Sequence, residues 1–146
     1  CRLQKEAAER IVAPPGGRRG GVLSVLVGAR ARAEILFRVK PTCFYPPPRV
    51  ESAVLRLRIA ARPEGFGLCV AVVEAAFQQR RKILKNSLAG LGRLGYTGTE
   101  IAAAAAAAGI DLSRRAESLA AEDYLRFSAA LPRRANAVAR DGGGSP

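Results

Sequence analysis

Apolar positions along this 146-residue chain follow two regimes. Up to about residue 60, helical and strand spacing alternate; beyond it the spacing is helical throughout. Ala7, Ala8, Ile11 and Val12 face away from Lys5, Glu6, Glu9 and Arg10, which predicts a helix over 5–13 that the run Pro14, Pro15, Gly16, Gly17 stops. The residues ahead of it fit the end of a strand. Val22, Val25, Leu26 and Ala29 predict a second helix over 22–33, with Arg30 and Arg32 in its last turn. Residues 34–40 alternate, with Ile35, Phe37 and Val39 on one side and Leu36 and Arg38 on the other. Residues 53–59 alternate again, placing Ala53, Leu55, Leu57 and Ile59 opposite Val54, Arg56 and Arg58. The two strands suit an antiparallel pair at a sheet edge.

After a Pro/Gly linker over 60–67, Cys69, Val72, Val73, Ala76 and Phe77 form a helical stripe that Leu84, Leu88 and Leu91 continue. Between them lies the polar block QQRRK, so one long helix and two helices with a bend both fit. Thr97 and Glu100 make a T-x-x-E capping box; the helix it opens runs through seven alanines and stops at Gly109. A last helix over about 119–131 carries Tyr124, Phe127 and Leu131 on one face and ends at Pro132. The fold class is therefore α/β, then all-α. The expected division is an incomplete α/β segment over 1–62, a helical domain over 63–132 and a disordered tail over 133–146. Two strands and a stub are too few for a stable sheet. The chain also contains no Met and begins at Cys1. Both features lead to the expectation that this is the C-terminal part of a longer protein, with its N-terminal strands missing.

Charge adds a partner to this picture. Residues 18–93 carry fifteen Lys or Arg and four Asp or Glu, whereas residues 94–146 carry six of each. A positive field concentrated in the middle of the chain favours a polyanion, although an arginine-rich composition serving solubility gives the same count. Cys1, Cys43 and Cys69 are odd in number and widely spaced, and there is no His; neither a disulfide framework nor a metal site is expected. A reducing, cytoplasmic setting fits. No run of 18 apolar residues predicts a membrane-spanning helix.

Three stretches could carry chemistry. The residues offer no complete catalytic set: there is no His, no paired carboxylates on a shared face and no G-x-G-x-x-G after a strand. Residues 44–57, FYPPPRVESAVLRL, put Phe44 and Tyr45 ahead of three prolines that favour a stiff extended rod. An aromatic held this way could stack on a nucleobase, plug the sheet edge, or belong to a Pro-rich ligand. In residues 75–88, AAFQQRRKILKNSL, a helix would set Arg81 beside Lys85 and Lys82 beside Asn86. Four cations, Arg80, Arg81, Lys82 and Lys85, then favour a phosphate partner, with a solvated face as the alternative. The loop 16–21, GGRRGG, is flexible and cationic but has no phosphate-loop spacing.

These stretches resemble the C-terminal portion of the rRNA adenine N6,N6-dimethyltransferases, which are similar to the erythromycin-resistance methylases. LQKEAAERIVA resembles the family's Q-K-E-x-A-x-R, GVLSVLV its G-x-L-S-V, and PTCFYPPPRVESAVLRL its F-x-P-x-P-K-V-x-S-x-V-x-x-L, with Arg49 where Lys is usual. AFQQRRKILKNSL resembles A-F-x-x-R-R-K-x-L-x-N-S-L, and RRAESLAAEDYLRF the family's ending, with Ala120 where Ser is frequent. The resemblance implies a Rossmann-like S-adenosylmethionine domain followed by a small helical domain. It implies that Phe44 packs against a flipped-out target adenine, and that Arg80, Arg81, Lys82 and Lys85, together with Arg49, contact rRNA. The family's cofactor loop and N-L-P-Y catalytic motif have no counterpart in this chain, so S-adenosylmethionine binding is expected outside it and the chain alone is expected to be inactive. The implied parent is an enzyme that dimethylates two adjacent adenines of small-subunit rRNA. It would act on the pre-small ribosomal subunit as a monomer, without metal or membrane. A stand-alone RNA-binding assembly module is the alternative; a membrane-surface helix over residues 72–91 is the weakest fit.

Overall fold

The structure is a computed structural model that describes residues 1–15, 17 and 20–134. Residues 16, 18 and 19 of the cationic loop, and the expected tail from 135 on, lie outside the described residues. A short strand, β1 (Arg2–Gln4), leads into helix α1 (Lys5–Ile11); helix α2 (Val22–Arg30) leads into strand β2 (Ala31–Val39); and strand β3 (Ser52–Ile59) completes a sheet of order β1-β3-β2, antiparallel throughout. The strand end expected ahead of α1 is β1, and the expected antiparallel pair is β2 with β3.

Two expectations for this half are corrected. The second helix ends at Arg30, not 33, because Ala31 is already extended and pairs with Ile59. Arg32 therefore lies in β2 directly opposite Arg58, and only Arg30 stands in the helix's last turn. Strand pairing along nine residues outweighs the local helical pattern. Second, the alternation of β2 breaks between Ile35 and Phe37, where the register shifts. The extra residue turns the strand over. Ile35 pairs with Leu55 on the inner face, while Phe37 pairs with Val54 on the outer face and is 56% exposed. Ile35, Phe37 and Val39 do not share a side.

The inner face carries a small core of Ala8, Ala53 and Leu55, with Leu3, Ile11, Val12 and Ile35 packed against it. The bulge brings Arg38 to this side, where it pairs with Glu9 of α1 at 3.1 Å. Burial of β3 stops at Leu55: Leu57 and Ile59, which follow on the same face, are exposed.

The larger core is helical. Helix α3 (Phe66–Gln78) packs against α2, against α4 (Leu84–Ser87) with its 3-10 continuation (Leu88–Leu94), and against α6 (Ala121–Ala130). Tyr124, Phe127, Leu84, Leu91, Val72 and Val73 are all but inaccessible. At Gly28 of α2 an added Cβ would meet the Ala121 Cβ at 3.3 Å, so this glycine allows α2 and α6 to approach. Helix α5 (Gly98–Ala108) lays Ala104, Ala105 and Ala108 towards the core, and its small side chains let it pack closely against α6. It ends at Gly109, whose φ of +70° is the left-handed conformation glycine adopts freely. The buried Tyr124 hydroxyl donates to the Ala116 carbonyl at 2.7 Å, and burial pushes its pKa up.

The T-x-x-E box closes as read. Glu100 Oε2 accepts from the Thr97 N–H at 2.9 Å, and Thr97 Oγ1 accepts from the Glu100 N–H at 3.2 Å. The Thr97 backbone hydrogen bond, helped by the Arg134 guanidinium, holds the Glu100 carboxyl below the usual carboxylate range. A folded-state pKa below the unfolded value gives stability that is present above the ordinary range and lost as pH falls through the folded value. Urea unfolding from about pH 7 down to about pH 3 should show wild-type stability falling more steeply than that of Glu100→Gln, which keeps an acceptor but does not titrate. Parallel curves would refute this assignment.

Candidate nucleic-acid interface

The polar block after α3 is a turn, not helix. Residues 79–82 leave the helix, Ile83 makes an isolated bridge to Arg115, and α4 begins at Leu84. Leu84 N–H donates to the Arg114 carbonyl at 2.8 Å and Lys85 N–H to the Leu112 carbonyl at 3.0 Å. The expected i,i+4 spacing of Arg81 and Lys85 on one helix is therefore corrected: pairing with residues 112–115 ends the helix at the block. Arg80, Arg81, Lys82 and Lys85 are all exposed. Arg80 differs from the others because its Nη2 donates to the Gly20 carbonyl at 2.9 Å, tying the end of the cationic loop to the turn. Arg81, Lys82 and Lys85 form no ion pair among the described residues.

The same bridge adds a residue the linear reading did not assign. Arg115 is exposed and stands across from Ile83, beside the basic turn. Its signal was the RRAESL motif, but nothing in the spacing linked that motif to residues 80–85. Arg114 is spent locally, donating to the Ser118 carbonyl.

The second surface is the connection between β2 and β3. It starts with a 3-10 turn (Pro41–Cys43), with Phe44 N–H donating to the Pro41 carbonyl at 3.2 Å. The three prolines do not make a straight rod: the chain bends at residues 44–46 and again at 49–50, and the Tyr45–Pro46 peptide is cis. Phe44 is half-buried, and the Arg2 guanidinium lies over its ring, 4.7 Å from the centroid. Tyr45 is entirely exposed, and Arg49 is exposed. The far end is pinned by Glu51, which pairs with Lys5 at 3.0 Å while its carbonyl accepts from the Lys5 N–H. Phe44, Tyr45 and Arg2 border an open cavity of about 540 Å³.

Phe44 and Arg49 thus share one loop, and Arg80, Arg81, Lys82 and Lys85 share one turn. No hydrogen bond or ion pair among the described residues joins the two groups. Among the described residues no group of three or more His, Cys, Asp or Glu could hold a metal, and no helix is long and apolar enough to cross a membrane.

The family model described as Ribosomal RNA adenine dimethylase matches residues 2–132. A Ribosomal RNA small subunit methyltransferase A of Desulfitobacterium hafniense is 44% identical over 133 residues, covering 88% of this chain and 47% of the relative. A protein of the same name from Syntrophotalea carbinolica is 46% identical over 126 residues, covering 84% and 47%. The chain spans about half the length of these curated relatives. Among solved structures, a dimethyladenosine transferase from Plasmodium falciparum matches with a TM-score of 0.71 at 20% identity, over 86% of this chain and 54% of that one. The 23S rRNA methyltransferase ErmE matches with a TM-score of 0.60 at 23% identity, over 90% and 53%. At these identities the two structures bear on fold alone, a methyltransferase fold to which the small sheet and its helices belong.

The basic turn separates structural from free cations. Arg80→Ala should lower unfolding stability by about 1–2 kcal/mol, since it removes a charged donor from a carbonyl. Arg81→Ala and Lys82→Ala should stay within about 0.5 kcal/mol of wild type. Urea denaturation of the three variants checks this; equal losses would show that Arg80 has no special role.

Proposed function

The chain belongs to the ribosomal RNA adenine dimethylase family, and on that premise we propose that the protein containing it dimethylates two adjacent adenines of small-subunit rRNA. The reaction would occur in the cytoplasm during assembly of the subunit, with the protein acting as a monomer. Within this reading, residues 1–62 are the end of a Rossmann-like methyltransferase domain, and residues 63–132 are the domain that docks on rRNA. Helix α2 joins the two, since Val25 contributes to the large helical core. Phe44 forms one wall around the target adenine. Arg81, Lys82 and Lys85, with Arg115 and Arg49, take backbone phosphates, while Arg80 also fixes the turn that presents them. The observation that carries the reading is that basic turn: Arg81, Lys82 and Lys85, which form no ion pair among the described residues, on a backbone held by its bridge and hydrogen bonds to residues 112–115.

The methyl donor in this family is S-adenosylmethionine. It carries a sulfonium cation and a ribose diol, groups that carboxylates hold well. The cavity beside Phe44 does not fit it: the Arg2 guanidinium could meet only its carboxylate, and no Asp or Glu among the described residues lines the cavity to hold the sulfonium or the diol. On this reading the cofactor is held by a part of the protein that this chain, about half the length of its relatives, does not span. Their own part is to hold the RNA backbone and one face of the base.

The test uses the intact natural protein with radiolabelled methyl donor and undermethylated small ribosomal subunits. Expected are labelled dimethyladenosines at two adjacent positions, and loss of roughly 5- to 150-fold in methyl transfer for Phe44→Ala, the range given by one stacking contact. Arg81→Ala, Lys82→Ala and Lys85→Ala should each weaken RNA binding. Each should also reduce the slope of log affinity against log salt by roughly 0.7–0.9. Binding without methyl transfer would leave an RNA-binding assembly module in place of the enzyme; unchanged salt slopes would remove the phosphate assignment.

A further inference from the structure

Phe44 and Tyr45 are neighbours in sequence but are used differently. Phe44 is half-buried with one ring face under the Arg2 guanidinium. Tyr45 is the most exposed large apolar side chain among the described residues, at 100%, with Ile59 next at 73%. It makes no hydrogen bond or ring contact among the described residues. Its backbone, however, is constrained. The 3-10 turn and its Phe44-to-Pro41 hydrogen bond lie immediately before it, and Pro46, Pro47 and Pro48 follow, each with φ fixed by its ring. A tyrosine ring presented this way loses little freedom when a flat partner settles on it.

The charges around it select the partner. Arg2, Lys40 and Arg49 are exposed nearby in the sheet and loop. The acid closest in sequence, Glu51, is taken by Lys5. An exposed aromatic among cations that form no ion pair among the described residues fits a single-stranded nucleic acid, whose bases stack and whose phosphates carry the opposite charge. Phe44 itself is extended, at φ −120° and ψ 153°, so successive side chains leave the chain in different directions. The two rings cannot clamp the same face of one base, although both border the open cavity.

We infer that Tyr45 is the stacking platform for a second nucleobase, the neighbour of the one taken by Phe44. This rests on the RNA reading proposed above. It makes Tyr45 a positioning residue that sets which base of an adjacent pair is presented.

The experiment measures binding of the intact natural protein to a short RNA hairpin with two adjacent unpaired adenines, and to two versions carrying an abasic site at one adenine or the other. Tyr45→Ala should weaken binding to the two-adenine hairpin roughly 5- to 150-fold, and Tyr45→Phe should restore it. One abasic version should abolish the difference between wild type and Tyr45→Ala; the other should keep it. A full penalty on both abasic versions, or no penalty on any RNA, overturns the inference. Because the side chain is fully exposed, the unfolding midpoint of Tyr45→Ala should match wild type. Failure of the wild-type protein to bind any of the hairpins would instead refute the RNA reading. Wild-type binding with an indifferent Tyr45→Ala would sink the platform alone.

Discussion

The fold depends on α3 having almost no face left for water. Eight of its thirteen residues are buried, among them Leu68, Val72, Val73 and Phe77, and each large side chain contributes about 1.5–3 kcal/mol by leaving water. Helices α2, α4 and α6 supply the covering surfaces. A helix enclosed this way cannot carry a cation on its packed turns without a large desolvation cost. The sequence therefore changes from VVEAAF to QQRRK at the point where α3 emerges, and the backbone turns out with it. Cys69 shows the other side of the constraint: burial pushes its thiol pKa up, with Ser128 offsetting only part, so it stays a packing residue. The basic turn is exposed because the helix before it is not.

The sheet works by a similar division. Central strand β3 buries Ala53 and Leu55 against α1 and turns Val54, Arg56 and Arg58 outward. The bulge in β2 keeps both faces supplied. It sends Arg38 inward to Glu9 and Phe37 outward beside Val54. On the outer face, the rung of Glu34 and Arg56 is neutralised at 3.1 Å. The next rung sets Arg32 against Arg58 with no acid between them, an arrangement that costs stability in isolation.

Local features were legible in the sequence, and long-range ones were not. The Thr97–Glu100 box, the stop at Gly109 and the buried face of Tyr124, Phe127 and Leu131 each depend on residues within a few positions, and each was read correctly. The end of α2 depends on Ile59, 28 residues beyond Ala31. The phase of β2 depends on one extra residue with no glycine to mark it. Leaving α3 at Gln78 depends on backbone partners at 112–115. The same distance rule governs the candidate site. The four cations of the turn and the aromatic loop could be picked out as strings. The Arg2 guanidinium over Phe44, the Arg80 bond to Gly20 and the nearness of Arg115 required the chain to be folded.

On the proposed reading, the separation of loop and turn has a physical purpose. Phosphate contacts hold a nucleic acid in register but do not distinguish bases, whereas a stacking contact needs a base delivered to one spot. Cations on a mobile loop would bind RNA without fixing that spot. Here the turn is tied to Gly20 on one side and to residues 112–115 on the other. The aromatic loop is tied at its exit by Lys5 and Glu51, one residue before β3 begins. Both surfaces are thus anchored to secondary structure, and α2, which packs against α1, β2, α3 and α6, connects them. A shift in α2 would change the distance between the phosphate grip and the aromatic loop without touching either set of side chains. On the same reading, close packing at Gly28, where a methyl group would meet Ala121, would bear on how RNA is held as well as on stability.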